Sequence, residues 1–331
     1  MATMKAMICN GYGAAKDVFE LKTVSKPVPR DNEILVKIHA TMTTSGDCKL
    51  RGYKEIPASL WLPARLSLGL FRPKNPIWGL CFAGEVETVG KKVELFKKGD
   101  QVFGSPESAF GAYAQFICLP ETGCIVQKPK NLSYKESVSI LFGTETAIQF
   151  LERAKIQRGQ KVLVYGASGS VGVATVQMAK YYGATVTGVC STKNLEMVKS
   201  MGADYVIDYT KKNFRGNGEK YDIIFDTVGK LSYSSCKNSL NPTGYYLMAL
   251  FSLTGILHQL WRSIIGGPNI ICRICGAEID VFHKLRELAE SGEITPVIDR
   301  TYSLQEIADA HIYVETGRKK GNVVIEVNHD E

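Results

Sequence analysis

The chain has 331 residues, of which 45% are hydrophobic and 22% are charged. These values place it among globular proteins long enough for two domains, and they exclude a low-complexity chain. The formal net charge of +7 is spread along the sequence, which favours a small anionic ligand over a nucleic-acid groove.

The first residues, MATMKAMICNGYG, lack the long apolar run of a signal peptide. Nowhere does an uninterrupted apolar window approach the roughly 18 residues of a membrane span, so we expect a cytoplasmic protein without an integral membrane segment. The most apolar stretch, FSLTGILHQLWRSIIGG, is interpreted as a loop and helix beside a pocket or interface. Nine cysteines at scattered spacings favour reduced thiols over a disulfide framework.

Short strands dominate the first third of the sequence. The alternation of Ile34, Val36 and Ile38 is typical of a half-buried strand. Strands are predicted, in order, at MKAMICN, FELKTV, EILVKIHA, AGEVETVG, VFG and GAYAQFICLP. Glycine turns between them predict a barrel-like domain rather than alternating strands and helices.

The pattern changes after residue 127. A helix is predicted to begin at Ser133, because Glu136 three residues later completes a capping box. From residue 161 onward, strands and helices alternate, which predicts a parallel sheet covered on both faces. The segments are KVLVYG, SVGVATVQMAKYYG, TVTGVC, NLEMVKSMG, YVIDY, YDIIFDTVG, GYYLMAL and NIICRIC, followed by a helix around Val281 to Ser291, a capping box at Ser303 and Glu306, and the strand VVIEV.

The sharpest local signal is YGASGSVG, which follows an apolar strand and opens a helix. Gly166, Gly169 and Gly172 form GxxGxxG, and a second strand follows within about thirty residues, as in dinucleotide-binding folds. Such glycines let the backbone approach a pyrophosphate, whose charge the helix N-terminus stabilises. The alternative is a turn whose glycines serve only packing. The predicted cofactor-binding loop also contains Ser168, Ser170 and Val171.

The turn after the second strand of this unit indicates which dinucleotide binds. NAD-dependent enzymes commonly place Asp or Glu there, about twenty residues past the glycines, to bind the ribose 2′-hydroxyl. This chain has no acidic residue between Gly169 and Glu196. Ser191 and Lys193 can instead donate to a 2′-phosphate and neutralise it, which predicts NADPH. The alternative is that Lys193 is only the solvated start of the next helix.

Together these segments resemble the medium-chain dehydrogenase/reductase superfamily, in its zinc-free branch of quinone oxidoreductases and enone reductases. The resemblance covers nearly the whole chain and depends on YGASGSVG, GDQVFG, GAYAQF, SILFGTETAIQFL, KSMGADYVIDY and GNVVIEV. It implies an α/β fold in which a GroES-like β-barrel is interrupted by a Rossmann doubly wound parallel sheet. The implied domains are 1–127 with 279–331 for the GroES-like catalytic domain, and 128–278 for the NADPH-binding Rossmann domain.

Comparison with the superfamily's alcohol dehydrogenases predicts no metal site. Leu80 stands at the position of a zinc-binding histidine, and Thr44 or Ser45 at that of a cysteine. No tight cluster of four cysteines is present in the sequence either. Cys272 and Cys275 form a single CxxC without a second pair, and are interpreted as structural thiols.

The absence of the zinc-binding residues limits the class of substrate that the protein is expected to reduce. A simple alcohol is a poor substrate without a Lewis acid to lower the pKa of its oxygen. A quinone or an α,β-unsaturated carbonyl accepts hydride more readily, because hydrogen-bond donors can stabilise the developing oxyanion. We therefore expect NADPH-dependent reduction of a quinone, alkenal or enone. The alternative is an NADPH-binding sensor or structural protein with little turnover.

The resemblance also implies individual site residues. Asp47 and Lys49 are the catalytic candidates, and the Lys49 ammonium would hold the nicotinamide ribose or polarise the substrate carbonyl. Thr146 matches a threonine that faces the nicotinamide, and Tyr209 a tyrosine near the 2′-phosphate. Leu250 and Phe251 are further cofactor-binding candidates. The alternatives are a solvated lysine at 49, a threonine bonded to its own helix at 146 and simple packing at 209.

Two features concern substrate and partners. The bulky apolar segment 53–76 lies over the active-site mouth in the family, and it either admits a hydrophobic substrate tail or buries itself against the barrel or a partner subunit. The family also implies a homodimer formed through an edge strand near NIICRIC. A nucleic-acid partner is not expected.

Overall fold

The structure, a computed structural model, describes residues 2–52, 65–216, 218–250, 255, 259 and 267–329. The chain divides into two compact units: the first comprises 1–141, 277–290 and 296–331, and the second comprises 142–276 and 291–295. Residues 128–141 belong to the first unit, where Asn131 Nδ2 donates a 2.9 Å hydrogen bond to Ala289 O. The domain limits given above, after residues 127 and 278, stay a prediction.

The elements of the first half of the chain are β1 (Thr3–Cys9), α1 (Ala15–Val18), β2 (Phe19–Ser25), β3 (Glu33–Thr43), α2 (Ser45–Gly52), β4 (Phe82–Val89), β5 (Gln101–Gly104), β6 (Phe116–Pro120), β7 (Ile125–Gln127) and α3 (Tyr134–Arg153). Those of the second half are β8 (Lys161–Tyr165), α4 (Ser170–Tyr181), β9 (Thr185–Cys190), α5 (Leu195–Ser200), β10 (Tyr205–Asp208), β11 (Tyr221–Asp226), α6 (Tyr233–Cys236), β12 (Leu240–Met248), β13 (Asn269–Cys272), α7 (Ile279–Glu290), β14 (Ile298–Ser303), α8 (Ile307–Glu315) and β15 (Asn322–Glu326).

The first unit is built mainly on antiparallel strands. β1 pairs with β2, and a larger sheet has the order β14-β15-β3-β4-β5-β7, with β6 also paired to β3. The alternation predicted for β3 is confirmed, because Ile34, Val36 and Ile38 are fully buried. They join Trp78 and Phe82 in the hydrophobic core of this unit. On the other face Lys37 and His39 are partly exposed but Leu35 is buried, so the apolar period of two holds over residues 36–40.

The second unit contains a six-stranded sheet of order β10-β9-β8-β11-β12-β13. Each neighbouring pair is parallel. This is the strand order of a doubly wound dinucleotide-binding fold, and it confirms the predicted α/β class. The order reverses between β8 and β11, so the carboxyl ends of these two strands border the crevice in which such folds bind ligands.

Both predicted capping boxes are confirmed. Ser133 donates from N and Oγ to the Glu136 carboxylate, at 2.8 and 2.7 Å, directly before α3. Ser303 makes the same two bonds to Glu306, both at 2.8 Å, in the turn before α8. In each box the backbone N–H of the glutamate donates back to the serine Oγ, at 3.3 Å for Glu136. Such reciprocal bonds hold the first N–H groups of a helix, and the helices therefore begin close to where the sequence predicted.

Two predicted segments lie partly outside the described residues. These are 53–76, of which 65–76 are described, and 250–268, of which 250, 255, 259, 267 and 268 are described. The cofactor candidate Phe251 lies outside the described residues. In the described part of the first segment, Leu66, Leu70 and Phe71 are exposed. Within the described ranges, no helix combines the length and apolar character needed to cross a membrane.

Candidate cofactor and active site

The glycine-rich loop joins β8 to α4 at the carboxyl edge of the parallel sheet. Gly166 has a φ of +84°, which disfavours any residue with a Cβ. A Cβ there would also lie 2.6 Å from Val228 Cγ1. A Cβ on Gly172 would contact the Gly166 carbonyl oxygen and lie 2.8 Å from Ala167 Cα. These two glycines therefore let the loop turn sharply and pack against α4.

Gly169 differs from the other two glycines. Its φ and ψ of −83° and 176° are open to any residue. Among the described atoms, an added Cβ would approach Gly166 O alone, at 3.6 Å. The space beside Gly169 is therefore open, and it adjoins the N-terminus of the 12-residue helix α4. N–H groups of a first helical turn have no partner within the helix, so this cradle fits the pyrophosphate of a dinucleotide.

The turn after β9 is tied to the glycine-rich loop by a residue that the sequence analysis missed. Asn194 is 5% exposed, and its Nδ2 donates a 2.9 Å hydrogen bond to Ser168 Oγ. Asn194 Oδ1 is buried without a partner among the described residues. The predicted phosphate ligands in this turn are accessible, since Ser191 is half-buried and Lys193 is exposed. The structure thus brings Ser168 and the 191–194 turn together.

Asp208 also lies at this corner, and the sequence analysis missed it. Asp208 ends β10 directly opposite Cys190, the last residue of β9. Its Oδ2 accepts a 2.5 Å hydrogen bond from Thr192 Oγ1, and its Oδ1 accepts a 2.7 Å bond from Thr210 Oγ1. Bonds from the two hydroxyls lower the pKa of Asp208, so the group is ionised at neutral pH. Parallel pairing of β9 and β10 brings this carboxylate to the turn after β9. Asp208 lies beyond the range from Gly169 to Glu196 in which an acidic residue was expected.

Tyr209 follows Asp208 at the same edge of the sheet. The residue is 55% exposed, and its ring centroid lies 6.4 Å from that of Tyr165. Because more than half of the residue's surface is exposed, it is accessible to a ligand bound at the turn after β9. Tyr209 thus packs against Tyr165 and still has surface available to a ligand.

Thr146 and Leu250 have partners inside the second unit. Thr146 Oγ1 donates a 2.8 Å hydrogen bond to Phe142 O in the preceding turn of α3, which is the alternative stated above. Because the hydroxyl proton of Thr146 is used in this bond, Thr146 Oγ1 can only accept a hydrogen bond from a ligand. Leu250 packs beside Gly229, because a Cβ on that glycine would contact Leu250 Cδ1. Leu250 thus lies against the loop that follows β11.

The loop after β11 is held by Asp226, another residue that the sequence analysis missed. Asp226 is fully buried at the end of the strand. Its carboxylate accepts hydrogen bonds from Val228 N, Gly229 N and Leu231 N, at 3.0, 2.8 and 2.8 Å. Burial raises the pKa of Asp226, whereas these backbone donors favour its ionised form. An acidic residue closing an apolar strand before TVG was the available signal.

The catalytic candidates lie in the first unit, on α2. Asp47 is fully buried, and its Oδ2 accepts hydrogen bonds from Thr44 N at 2.9 Å and from Thr44 Oγ1 at 2.6 Å. Burial is the larger influence and raises the pKa of Asp47 to about 6. The carboxylate therefore fixes the start of α2, where it can position Lys49. Lys49 is half-buried two residues later on the same helix.

The positions that align with zinc ligands contain no donor cluster. Leu80 is a half-buried hydrocarbon side chain, and Thr44 is committed to Asp47. Across the described ranges, no group of three or more His, Cys, Asp or Glu side chains could hold a metal ion.

A chain that combines a doubly wound sheet and its glycine cradle with a second unit of GroES-like type is a nicotinamide-dinucleotide-dependent oxidoreductase. A family model described as alcohol dehydrogenase GroES-like domain matches residues 30–130. A second model, described as zinc-binding dehydrogenase, matches residues 201–325. The chain belongs to the medium-chain dehydrogenase/reductase superfamily, in the branch of quinone oxidoreductases and enone reductases.

Individual relatives cover almost all of the chain. It is 33% identical to 2-methylene-furan-3-one reductase of Solanum lycopersicum, over 97% of this chain and 79% of that protein. It is 31% identical to the chloroplastic NADPH-dependent alkenal/one oxidoreductase of Arabidopsis thaliana, with the same two coverages of 97% and 79%. Among solved structures, the quinone oxidoreductase from Coxiella burnetii has a TM-score of 0.85 and 27% identity, over 99% of this chain and 100% of that one.

Proposed function

We propose that the protein is an NADPH-dependent, zinc-independent reductase of α,β-unsaturated carbonyl compounds, with quinones as a second class of acceptor. The observation that carries this proposal is the similarity, over 97% of the chain, to two proteins named for the reduction of an enone and of alkenals or alkenones. Similarity to a quinone oxidoreductase of known structure supports the second class.

The residues of the second unit support binding of NADPH. The open space at Gly169 receives the pyrophosphate, since a side chain there would occupy it. Ser191 and Lys193 bind the 2′-phosphate, with Tyr209 beside it. The loop held by Asp226 borders the crevice at the switch point, and Leu250 packs against this loop. Thr146 on α3 is the remaining cofactor candidate. NADPH, when bound, supplies the hydride that reduces the carbon–carbon double bond or the quinone.

Within the first unit, Lys49 is the candidate for contact with the substrate. Its ammonium carries three donors, which can bind a carbonyl oxygen and stabilise the negative charge that develops there during hydride transfer. Asp47 is a positioning residue for Lys49. Its buried carboxylate binds Thr44 and thereby fixes the start of the helix that carries Lys49. A proton from solvent completes the reduction of an enone.

Oxidation of NADPH, followed with a short alkenal, a longer alkenone and a quinone, tests this function. We expect turnover of at least one of the three, and a loss of about 10²-fold or more in kcat/KM for Lys49→Ala, as for removal of a single hydrogen-bond donor to the transition state. Lys98→Ala, a change in an exposed residue of the same unit, is the control. NADPH binding without turnover of any acceptor would favour the sensor or structural protein instead.

A lysine variant in the second unit tests the cofactor. Lys193→Ala should weaken NADPH binding by about tenfold, as expected for one lost hydrogen bond between charged groups, and leave NADH binding nearly unchanged. Isothermal calorimetry measures both dissociation constants without turnover. An undiminished preference for NADPH would exclude a role for Lys193.

We also propose that the protein is a homodimer and acts in the cytoplasm. β13 is the terminal strand of the parallel sheet, so its outer edge can pair with a second copy. Sedimentation of the purified chain tests the dimer. Imaging of a C-terminally tagged chain tests the location, and an organelle is the competing outcome, because relatives include proteins named as chloroplastic and mitochondrial.

A further inference from the structure

We propose that Thr192, Asp208 and Thr210 form a clamp that sets the preference for NADPH over NADH. The clamp is the pair of hydroxyl-to-carboxylate bonds on Asp208, 2.5 Å from Thr192 Oγ1 and 2.7 Å from Thr210 Oγ1. Thr210 N also donates to Asp208 Oδ1, at 3.0 Å. This inference rests on the proposed function, and it concerns how this chain tolerates a carboxylate beside its phosphate-binding turn.

In NAD-dependent dinucleotide folds, a carboxylate at the end of the second strand accepts hydrogen bonds from the ribose 2′-hydroxyl and repels a 2′-phosphate. Asp208 ends the neighbouring strand, β10, and contacts the same turn through Thr192, so an uncovered carboxylate there would also disfavour NADPH. In this chain both oxygens of Asp208 already accept bonds from hydroxyls, and Lys211 Nζ lies 3.9 Å from Oδ2. The residue is also only 8% exposed. The clamp therefore turns the carboxylate inward and disperses its charge over neighbouring donors.

The same bonds fix the turn that carries the phosphate ligands. Thr192 is tethered to β10 through Asp208, and Asn194 is tethered to the glycine-rich loop through Ser168. Lys193 lies between these two tethers in the chain and is itself exposed. Its backbone is thus held from both sides, while its ammonium extends toward solvent, as a phosphate ligand requires. Loss of the Thr192 hydroxyl releases one tether and uncovers one carboxylate oxygen.

Four variants separate these effects. Thr192→Val keeps the branched shape and removes the hydroxyl. Asp208→Asn removes the charge but retains an oxygen that can accept from Thr192. The double variant removes both the hydroxyl and the charge. Thr185→Val, at the opposite end of β9, is the matched control.

The measurement is the ratio of the dissociation constants for NADH and NADPH, determined by calorimetry at one salt concentration. For Thr192→Val we expect this ratio to fall by about tenfold, as for the loss of one hydrogen bond to a charged group. Asp208→Asn should keep the wild-type ratio or raise it. The double variant should recover most of the lost preference, because no charge remains to be uncovered. Thr185→Val should match the wild type.

The clamp is refuted if Thr192→Val, with a melting temperature near that of the wild type, keeps the wild-type ratio. It is equally refuted if Asp208→Asn shifts the preference to NADH, or if the double variant is as impaired as Thr192→Val. A wild-type protein that binds NADH as tightly as NADPH would overturn the proposed cofactor and the clamp together. If the wild type prefers NADPH and the variants do not behave as expected, the clamp is wrong and the proposed cofactor still holds.

Discussion

Cys48 Sγ lies 3.3 Å from His311 Nδ1 inside the first unit, where both side chains are buried. Arg51 Nε, which can only donate, lies 3.4 Å from the same ring nitrogen. Nδ1 is therefore the acceptor, and the proton resides on Nε2, 3.1 Å from the Tyr113 hydroxyl. Burial and the nearby Arg51 charge hold the pKa of His311 well below its usual range. The pair is a neutral thiol and a neutral imidazole, unlike an activated thiolate–imidazolium pair.

We accordingly expect Cys48 to resist alkylation in the folded protein. Burial raises the pKa of its thiol, and the thiolate is the reactive form. Cys275, which is partly exposed, provides the internal comparison and should react faster with iodoacetamide or a short alkenal. Peptide mass spectrometry before and after denaturation measures both rates. Equal labelling of the two cysteines in the native protein would show that Cys48 is activated.

Two alanine substitutions in the glycine-rich loop should have opposite consequences. Gly172→Ala places a methyl against the Gly166 carbonyl and should lower the free energy of unfolding by about 1–3 kcal/mol, as overpacking does. Gly169→Ala meets no described atom closer than 3.6 Å, so the protein should fold normally. Its methyl occupies the pyrophosphate cradle, however, and NADPH binding should weaken.

Thermal unfolding and calorimetric titration with NADPH together test this contrast. A Gly169→Ala protein that melts normally and binds NADPH as the wild type does would mean that the pyrophosphate lies elsewhere. A Gly172→Ala protein of unchanged stability would contradict the close packing of α4 on the loop.

The loop after β11 should depend on the charge of Asp226. In Asp226→Asn, the amide oxygen can keep the bonds from Val228 N and Gly229 N, whereas the amide nitrogen faces the Leu231 N–H, donor against donor. We expect a loss of about 1–3 kcal/mol in the free energy of unfolding, the usual cost of a buried donor without a partner. Urea unfolding measures it, with Asp280→Asn, in the first turn of α7, as the control. Equal stabilities of the two variants would contradict this role.

The sequence predicted the elements whose pattern is local. Alternation in β3, the strand and helix around the glycines, and both capping boxes depend on residues near one another in the chain. β14 was not predicted, because none of its six residues is buried and its sequence IDRTYS shows no apolar alternation. NIICRIC was predicted as one strand, but β13 ends at Cys272, before the second cysteine of the CxxC.

The site was predicted less completely, for a physical reason. The glycine-rich loop can be recognised in the sequence from the spacing of its glycines. Asp208, in contrast, contacts Thr192 only because two parallel strands pair. That contact joins residues 16 positions apart, and a search for an acid along the first turn alone does not find it. Likewise, the sequence pattern places Asn194 only at the start of a helix. Its hydrogen bond to Ser168 forms because the fold brings the two loops together at one edge of the sheet.

Asp47 should make the stability of the protein depend on pH. Burial raises its pKa from an ordinary 3.8 to about 6 in the folded protein. A carboxyl with a raised folded pKa contributes stability below its unfolded pKa, and this contribution is lost as pH rises through the folded value. Relative to Asp47→Asn, the wild type should lose about 2 kcal/mol of unfolding free energy as pH rises from about 4 to about 7. Asp309→Asn, whose side chain is 58% exposed in the wild type, is the control and should show little such dependence. Unfolding in urea across this pH range measures the difference, and a constant gap between wild type and Asp47→Asn would mean that the buried carboxyl keeps an ordinary pKa.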